Sequence, residues 1–187
     1  MSEENFTIYK KYKIFIRHDD HIENPREFMD FGKMVCFHKR YNLGDKHSIR
    51  YQDYEGWEDI SNFLEKEESA VIILPLFLYD HSGISISTGR FSCPWDSGQV
   101  GFIYTTRAEI LSTFGGKLLT KRLRLLAASA LENEVRVYNN YLSGEGCFYS
   151  IEGEAGETVD TCCGFYSEKE AVVAAQEFVD ALVKDKV

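Results

Sequence analysis

Hydrophobic and polar residues in the middle of the chain form two apolar runs separated by polar turns. The apolar runs, residues 71–79 and 100–104, have the length and the β-branched and aromatic content of buried strands. Between them, residues 84–87 alternate apolar and polar side chains, as a half-exposed strand does. The pattern therefore predicts three neighbouring strands, joined by turns at residues 80–83 and 91–98.

The rest of the pattern adds further strands and helices. Apolar runs predict strands at residues 6–17, 34–37, 147–152 and 158–165. Helical spacing predicts helices at residues 56–68 and 120–142, and capping boxes at Thr106 and Ser167 predict the starts of two more. Because strands and helices do not alternate regularly, we expect an α+β fold, with a largely antiparallel mixed sheet packed against about four helices. No linker interrupts the pattern, so residues 1–187 are predicted to form a single domain.

Charge and composition narrow the class of protein. The net charge of −9 disfavours nonspecific or sequence-specific nucleic-acid binding, which needs clustered lysine and arginine. The longest apolar run is far shorter than a membrane span, and the acidic start of the chain is unlike a signal peptide. The five cysteines are an odd number without paired spacing. These features predict a cytoplasmic protein that does not bind membranes.

The charge is also segregated along the chain. No lysine or arginine occurs between Arg136 and Lys169, whereas basic residues cluster from Lys117 to Arg124. Carboxylates occur throughout the base-free stretch, at Glu145, Glu152, Glu154, Glu157 and Asp160. Solvated loops account for most such runs, but a surface that meets a basic partner has the same composition. We therefore predict that these five residues bind a partner.

The central turns hold side chains with reactive chemistry. Asp80, His81 and Ser82 lie in the first turn, and Asp96 and Ser97 lie in the second. A hydrolase site needs serine, histidine and aspartate in one hydrogen-bonded chain. Ser97 does not lie in the Gly-x-Ser-x-Gly elbow, and Asp and Ser before Gly also build ordinary turns. A structural role is therefore the favoured interpretation, with a small hydrolase as the alternative.

Cys93 and Trp95 belong to the same second turn and have no assigned role. The sequence neighbours of Cys93 supply no positive charge that would activate a thiolate, so a small hydrophobic role is favoured. The five histidines lack the helical or paired-cysteine spacing of a zinc site. No metal or other cofactor is therefore predicted.

Three segments of the first half of the chain are similar to a known family. These are Asn24-Pro25-Arg26-Glu27, which also has the composition of a helix start, residues 34–45, and residues 79–104 with their Tyr-Asp-His-Ser-Gly-Ile and Cys-Pro-Trp-Asp-Ser-Gly-Gln-Val-Gly strings. They resemble an uncharacterised family of proteins encoded by bacteriophages, plasmids and other mobile elements. The resemblance carries no catalytic assignment to any residue here.

The resemblance implies a biological context. Small acidic mobile-element proteins are often anti-defence inhibitors, including anti-CRISPR proteins. The leading hypothesis is therefore an inhibitor of a host defence protein, a Cas9-type nuclease in the first place, that binds a basic surface in the bacterial cytoplasm. The alternatives are a small hydrolase centred on Asp80, His81, Asp96 and Ser97, and a phage accessory protein without catalytic activity.

Overall fold

The structure is a computed structural model that describes residues 6–184. In chain order its elements are β1 (Phe6–Tyr9), β2 (Tyr12–His18), β3 (Lys33–Cys36), α1 (Trp57–Lys66), β4 (Ala70–Asp80), β5 (Ile84–Ser87), β6 (Ser97–Thr106), α2 (Arg107–Phe114), α3 (Lys121–Leu142), β7 (Cys147–Glu152), β8 (Thr158–Phe165) and α4 (Glu168–Lys184). All strand pairs are antiparallel, and together with the four helices they confirm the α+β class. The strands form two four-stranded sheets.

The chain divides into two compact units. The central unit comprises Pro25–Asn139, and the terminal unit comprises the described residues before and after that range. The assignment of residues 1–187 to a single domain stays a prediction. Among residues 6–184, no helix combines the length and the apolar character that a membrane span requires.

The sheet of the terminal unit has the strand order β1-β2-β7-β8. Its first two strands correct the prediction of one strand over residues 6–17, because the chain reverses between Tyr9 and Tyr12. Lys10 and Lys11 both have positive φ, 44° and 69°, as the two central residues of a tight hairpin turn do. Lysine rarely occupies this conformation, so composition gives no sign of the turn.

Helix α4 covers one face of the terminal sheet. Its residues Ala175 and Val179 are fully buried against Ile14 of β2 and Ile151 of β7. Strand β8 lies at the sheet edge, and most of its residues are exposed or half-buried. The hairpin of β7 and β8, predicted at residues 147–152 and 158–165, is confirmed.

The sheet of the central unit has the order β3-β6-β4-β5, with the two longest strands in the middle. Gly101 of β6 lies so close to β3 that a Cβ atom there would be 1.9 Å from the carbonyl oxygen of Val35. Helix α1 places Ile60 and Leu64 against this sheet, where both are fully buried. The predicted cap of α2 is confirmed, since the Thr106 hydroxyl accepts a hydrogen bond from the Glu109 amide.

A buried ionic network joins distant parts of the central unit. Asn24-Pro25-Arg26-Glu27, which has the composition of a helix start, leads into a single short 3₁₀ turn, Pro25–Glu27. The Arg26 side chain is 3% exposed and contacts Glu134 of α3 at 2.7 Å and Asp45 at 2.8 Å. Asp45 also accepts a hydrogen bond from the Met34 amide at 2.7 Å. The network therefore fixes the connection after β3 beside α3.

Candidate functional site

The two central turns lie at the same end of the central sheet. Because β4 and β6 run antiparallel, with Tyr79 opposite Ser97, the end of one strand meets the start of the other. The Asp80 amide donates a hydrogen bond to the Asp96 carbonyl at 2.9 Å. The structure therefore brings together the two turns that the sequence singled out.

A cavity of about 360 Å³ lies against these turns. Three segments of the central unit line it, from the connection after β3, from β4, and from the second turn with the start of β6. The lining residues are Phe37, His38, Arg40, Leu78, Asp80, Trp95, Asp96, Ser97, Gly98, Gln99 and Val100. We name this cavity the turn pocket.

Asp80 forms one charged wall of the turn pocket. It pairs with the Arg40 guanidinium, and its other carboxylate oxygen accepts a hydrogen bond from the Tyr41 hydroxyl at 3.2 Å. The Arg40 guanidinium lies 5.4 Å from the centre of the Tyr41 ring, and the His38 ring stacks on that same ring. The local sequence does not indicate that Arg40 and His38 belong to this site, because the pairing of distant strands brings them to Asp80.

Asp96 forms the second charged wall. Its Oδ2 atom lies 3.4 Å from Nδ1 of His81 and accepts a hydrogen bond from the Cys93 thiol at 3.4 Å. No hydrogen bond to the Oδ1 atom occurs within residues 6–184. Asp96 thus lines the turn pocket with its Oδ2 atom engaged by His81 and Cys93 and its Oδ1 atom available to a ligand.

The nucleophile that the hydrolase alternative requires is not presented by Ser97. A hydroxyl has a single hydrogen, and that of Ser97 is donated to the Cys93 carbonyl, four residues earlier. His81 instead faces Asp96. Ser82 lies in the tight turn after β4 with a φ of 61°. In the same turn the His81 amide donates a hydrogen bond to the Gly83 carbonyl. The arrangement supplies a histidine–carboxylate pair and a well-bonded turn, without a serine poised to attack.

Trp95 is the most exposed large apolar side chain among the described residues, at 92%. It lines the turn pocket together with Asp96, the next residue in the chain. The neighbouring rings of Tyr79 and Phe91, with centres 5.6 Å apart, pack on each other in the same turn region. An exposed indole beside two carboxylates is the main feature that this site offers to a ligand.

The predicted partner-binding carboxylates lie on the terminal unit, around the hairpin of β7 and β8, which we name the acidic hairpin. Glu152 ends β7, Glu154 and Glu157 lie in the turn, and Asp160 lies on β8. Glu145 precedes β7 at the opposite end of the hairpin. The structure therefore gathers four of these residues and separates the fifth by the length of a strand.

Several carboxylates of the acidic hairpin already have internal partners. Glu157 accepts a hydrogen bond from the Ala155 amide at 3.1 Å and so closes the turn. Asp160 accepts one from the Tyr149 hydroxyl at 2.7 Å, and burial, together with this contact, raises the pKa of Tyr149. Glu154 forms an exposed ion pair with Lys11 at 3.7 Å, a kind of contact that contributes little to stability. Glu145, Glu152 and Glu154 are thus the three most available to a partner.

Neither site offers an evident metal centre. Within the part of the chain that the structure describes, no three His, Cys, Asp or Glu side chains are grouped so that they could hold a metal ion. All five cysteines are free thiols, and Cys162 and Cys163 are exposed on β8.

Comparison of this chain with protein-family models, with curated proteins and with solved structures yields no match.

Proposed function

We propose that this protein is a binding protein that inhibits a host defence nuclease of the Cas9 type by occupying its basic nucleic-acid-binding surface. In this proposal it acts in the bacterial cytoplasm and carries out no reaction itself. The observation that carries the proposal is the acidic hairpin, which gathers Glu152, Glu154, Glu157 and Asp160 at and near its turn. The resemblance of the first half of the chain to mobile-element proteins supplies the biological context.

Electrostatics supports a basic partner. A charge of −9 on 187 residues repels nucleic acid and attracts a surface built to hold phosphate groups. Cas9-type nucleases hold their heteroduplex in a positively charged channel. Carboxylates on a folded hairpin would enter such a channel with their positions already fixed, which limits the entropy lost on binding.

The contacts at the central turns favour binding over hydrolysis. The Ser97 hydroxyl is committed to the Cys93 carbonyl. The hydrolase alternative would need this hydroxyl to be directed at a base such as the His81 imidazole. Turns held in this way instead make a rigid surface around an exposed tryptophan, which is a common anchor in protein interfaces.

The test is a DNA-cleavage assay with a purified Cas9-type nuclease and its guide RNA, combined with a direct measurement of complex formation. We expect one added equivalent to suppress cleavage, and we expect association to slow as the salt concentration rises, because exposed charges are screened beyond about 8 Å at physiological ionic strength. Unimpaired cleavage together with no complex would contradict the proposal. Turnover of an ester or phosphoester substrate that is lost in Ser97→Ala would support the hydrolase instead.

A further inference from the structure

The turn pocket combines an aromatic face with an excess of negative charge. Asp80 and Asp96 form two of its walls, and Arg40 supplies one opposing positive charge. The Arg40 side chain is 69% exposed, so its pairing with Asp80 is a surface ion pair, which is weak and readily exchanged. The balance of fixed charge therefore favours a cationic ligand over a phosphate-bearing one.

The position of Trp95 selects the kind of cation. An indole is the best aromatic partner for a cation that lies over its face. A guanidinium is planar, so it can stack on a ring and at the same time donate two hydrogen bonds to a carboxylate in its own plane. Trp95 and Asp96 are adjacent in sequence, and the Oδ1 atom of Asp96 accepts no hydrogen bond within residues 6–184.

The size of the turn pocket suits a side chain on a polypeptide. Its volume of about 360 Å³ lies at the lower end of the ~300–1,000 Å³ range of ligand sites. Its lining combines polar side chains of the two turns with Leu78 and Val100, which are 5% and 3% exposed. An arginine can place its apolar stem against such apolar residues and its charged head at the carboxylates.

We propose that the turn pocket binds an arginine side chain of the protein partner, with the guanidinium stacked on Trp95 and hydrogen-bonded to Asp96. This inference rests on the proposed function, because it gives the basic partner a specific anchor residue. It also gives the tryptophan and aspartate of the second turn a joint role. Asp80 completes the site when Arg40 moves aside.

The test uses the full chain labelled with ¹⁵N and a short probe, the acetylated and amidated tripeptide Gly-Arg-Gly. The indole N–H signals of Trp57 and Trp95 are assigned with Trp95→Phe. We expect the Trp95 signal to shift with peptide concentration and to saturate. The matching peptide that contains citrulline has nearly the same shape without the charge, and we expect it to shift the signal much less.

Two variants separate specific binding from general attraction. Asp96→Asn keeps the size of the side chain and should weaken binding of the arginine peptide by about 10- to 150-fold, the loss expected when a hydrogen bond to a charged group is removed. Glu58→Gln removes the same charge from the exposed face of α1 and should leave binding unchanged. Spectra of both variants with the dispersion of the wild type establish that they are folded.

Several results would overturn the inference. They are the absence of a saturable shift, equal shifts with the arginine and citrulline peptides, equal weakening in Asp96→Asn and Glu58→Gln, and tighter binding of a purine nucleotide such as AMP. Failure here is distinguishable from failure of the proposed function. Nuclease inhibition without binding of the arginine peptide would contradict only the arginine site in the turn pocket. Peptide binding without nuclease inhibition would contradict only the proposal that the partner is a nuclease.

Discussion

Arg26 donates a hydrogen bond to Glu134 at 2.7 Å, although 108 residues separate them in sequence. Both side chains are almost fully buried, and the Gly32 amide also donates to the Glu134 carboxylate. A buried ion pair costs free energy to desolvate, so it adds little net stability. Loss of one partner is nevertheless strongly destabilising, because it leaves the other charge buried without compensation. The first two predictions concern this pair.

Replacement of Arg26 should destabilise the protein strongly. In Arg26→Met the carboxylates of Asp45 and Glu134 lose their shared cation, and such an uncompensated burial costs about 3–5 kcal/mol. Urea denaturation measures the free energy of unfolding. Arg50→Met breaks only an exposed ion pair with Asp53 and should change it by about 0.5 kcal/mol or less. Similar losses from both variants would contradict a special role for the buried network.

The pH dependence of stability should carry the signature of Glu134. Burial raises the pKa of its carboxyl above the usual value despite the nearby Arg26. The folded state therefore holds this proton more tightly than the unfolded state, and the stabilisation from this group is lost as pH rises through its folded pKa. Glutamine cannot ionise at this position. We therefore expect the free energy of unfolding of Glu134→Gln to rise relative to that of the wild type as the pH rises from the unfolded pKa of Glu134 to its folded pKa. A pH-independent difference between the two proteins would contradict the prediction.

Charge reversal on the acidic hairpin should slow association with the basic partner. The variant Glu145→Lys, Glu152→Lys and Glu154→Lys changes the three most available carboxylates and spares Glu157, which closes the turn. We expect the association rate to fall by about tenfold or more with little change in folding. The matched control reverses Glu58, Glu65 and Glu67 on and after α1. An equal fall in the association rate for both sets would mean that the net charge of the protein matters and the position of the hairpin carboxylates does not.

Truncation of Phe77 should test the buried strand β4. Its ring is 8% exposed, and the Arg90 guanidinium lies 5.3 Å from the ring centre. Phe77→Ala should lower the free energy of unfolding by about 3–5 kcal/mol, because the cavity it leaves cannot fully collapse. Leu118→Ala, at an exposed position, should be nearly neutral in the same denaturant melts. A neutral outcome at Phe77 would mean that the strand is not part of the core.

Removal of the side-chain hydroxyl at Ser97 should leave partner binding intact. Ser97→Ala loses the hydrogen bond to the Cys93 carbonyl and should be destabilised by about 1 kcal/mol, while nuclease inhibition at low temperature is retained. His81→Ala should behave in the same way, because its contact with Asp96 is exposed. Well-folded variants that still form the complex with the nuclease but no longer inhibit it would instead favour a catalytic role for these two residues.

Elements whose signals are local could be predicted from the sequence. The β7 and β8 bounds and the Thr106 cap follow from alternation and capping chemistry within a few residues. Features that depend on distant contacts could not. The placement of Arg40 beside Asp80 requires the pairing of β3 with β6 and β6 with β4. Likewise, the division of the strands into two sheets depends on which strands pair.

The carboxylates illustrate the same limit at the level of side chains. The sequence presents five equivalent acidic residues, but the fold makes Glu157 part of a turn and gives Asp160 to Tyr149. Which acids remain available depends on loop geometry and cross-strand neighbours. Composition alone therefore predicts the charge of the hairpin, but it does not predict which of its carboxylates are available to a partner.

The pairing of β2 with β7 has a consequence for the order of synthesis. On the ribosome the hairpin of β1 and β2 emerges before the central unit, but β7, which pairs with β2, follows more than a hundred residues later. The central unit can form its own sheet during that interval, while the edge of β2 stays unpaired until β7 has been synthesised. Early termination after residue 139 would therefore yield a chain that includes the turn pocket and lacks the acidic hairpin.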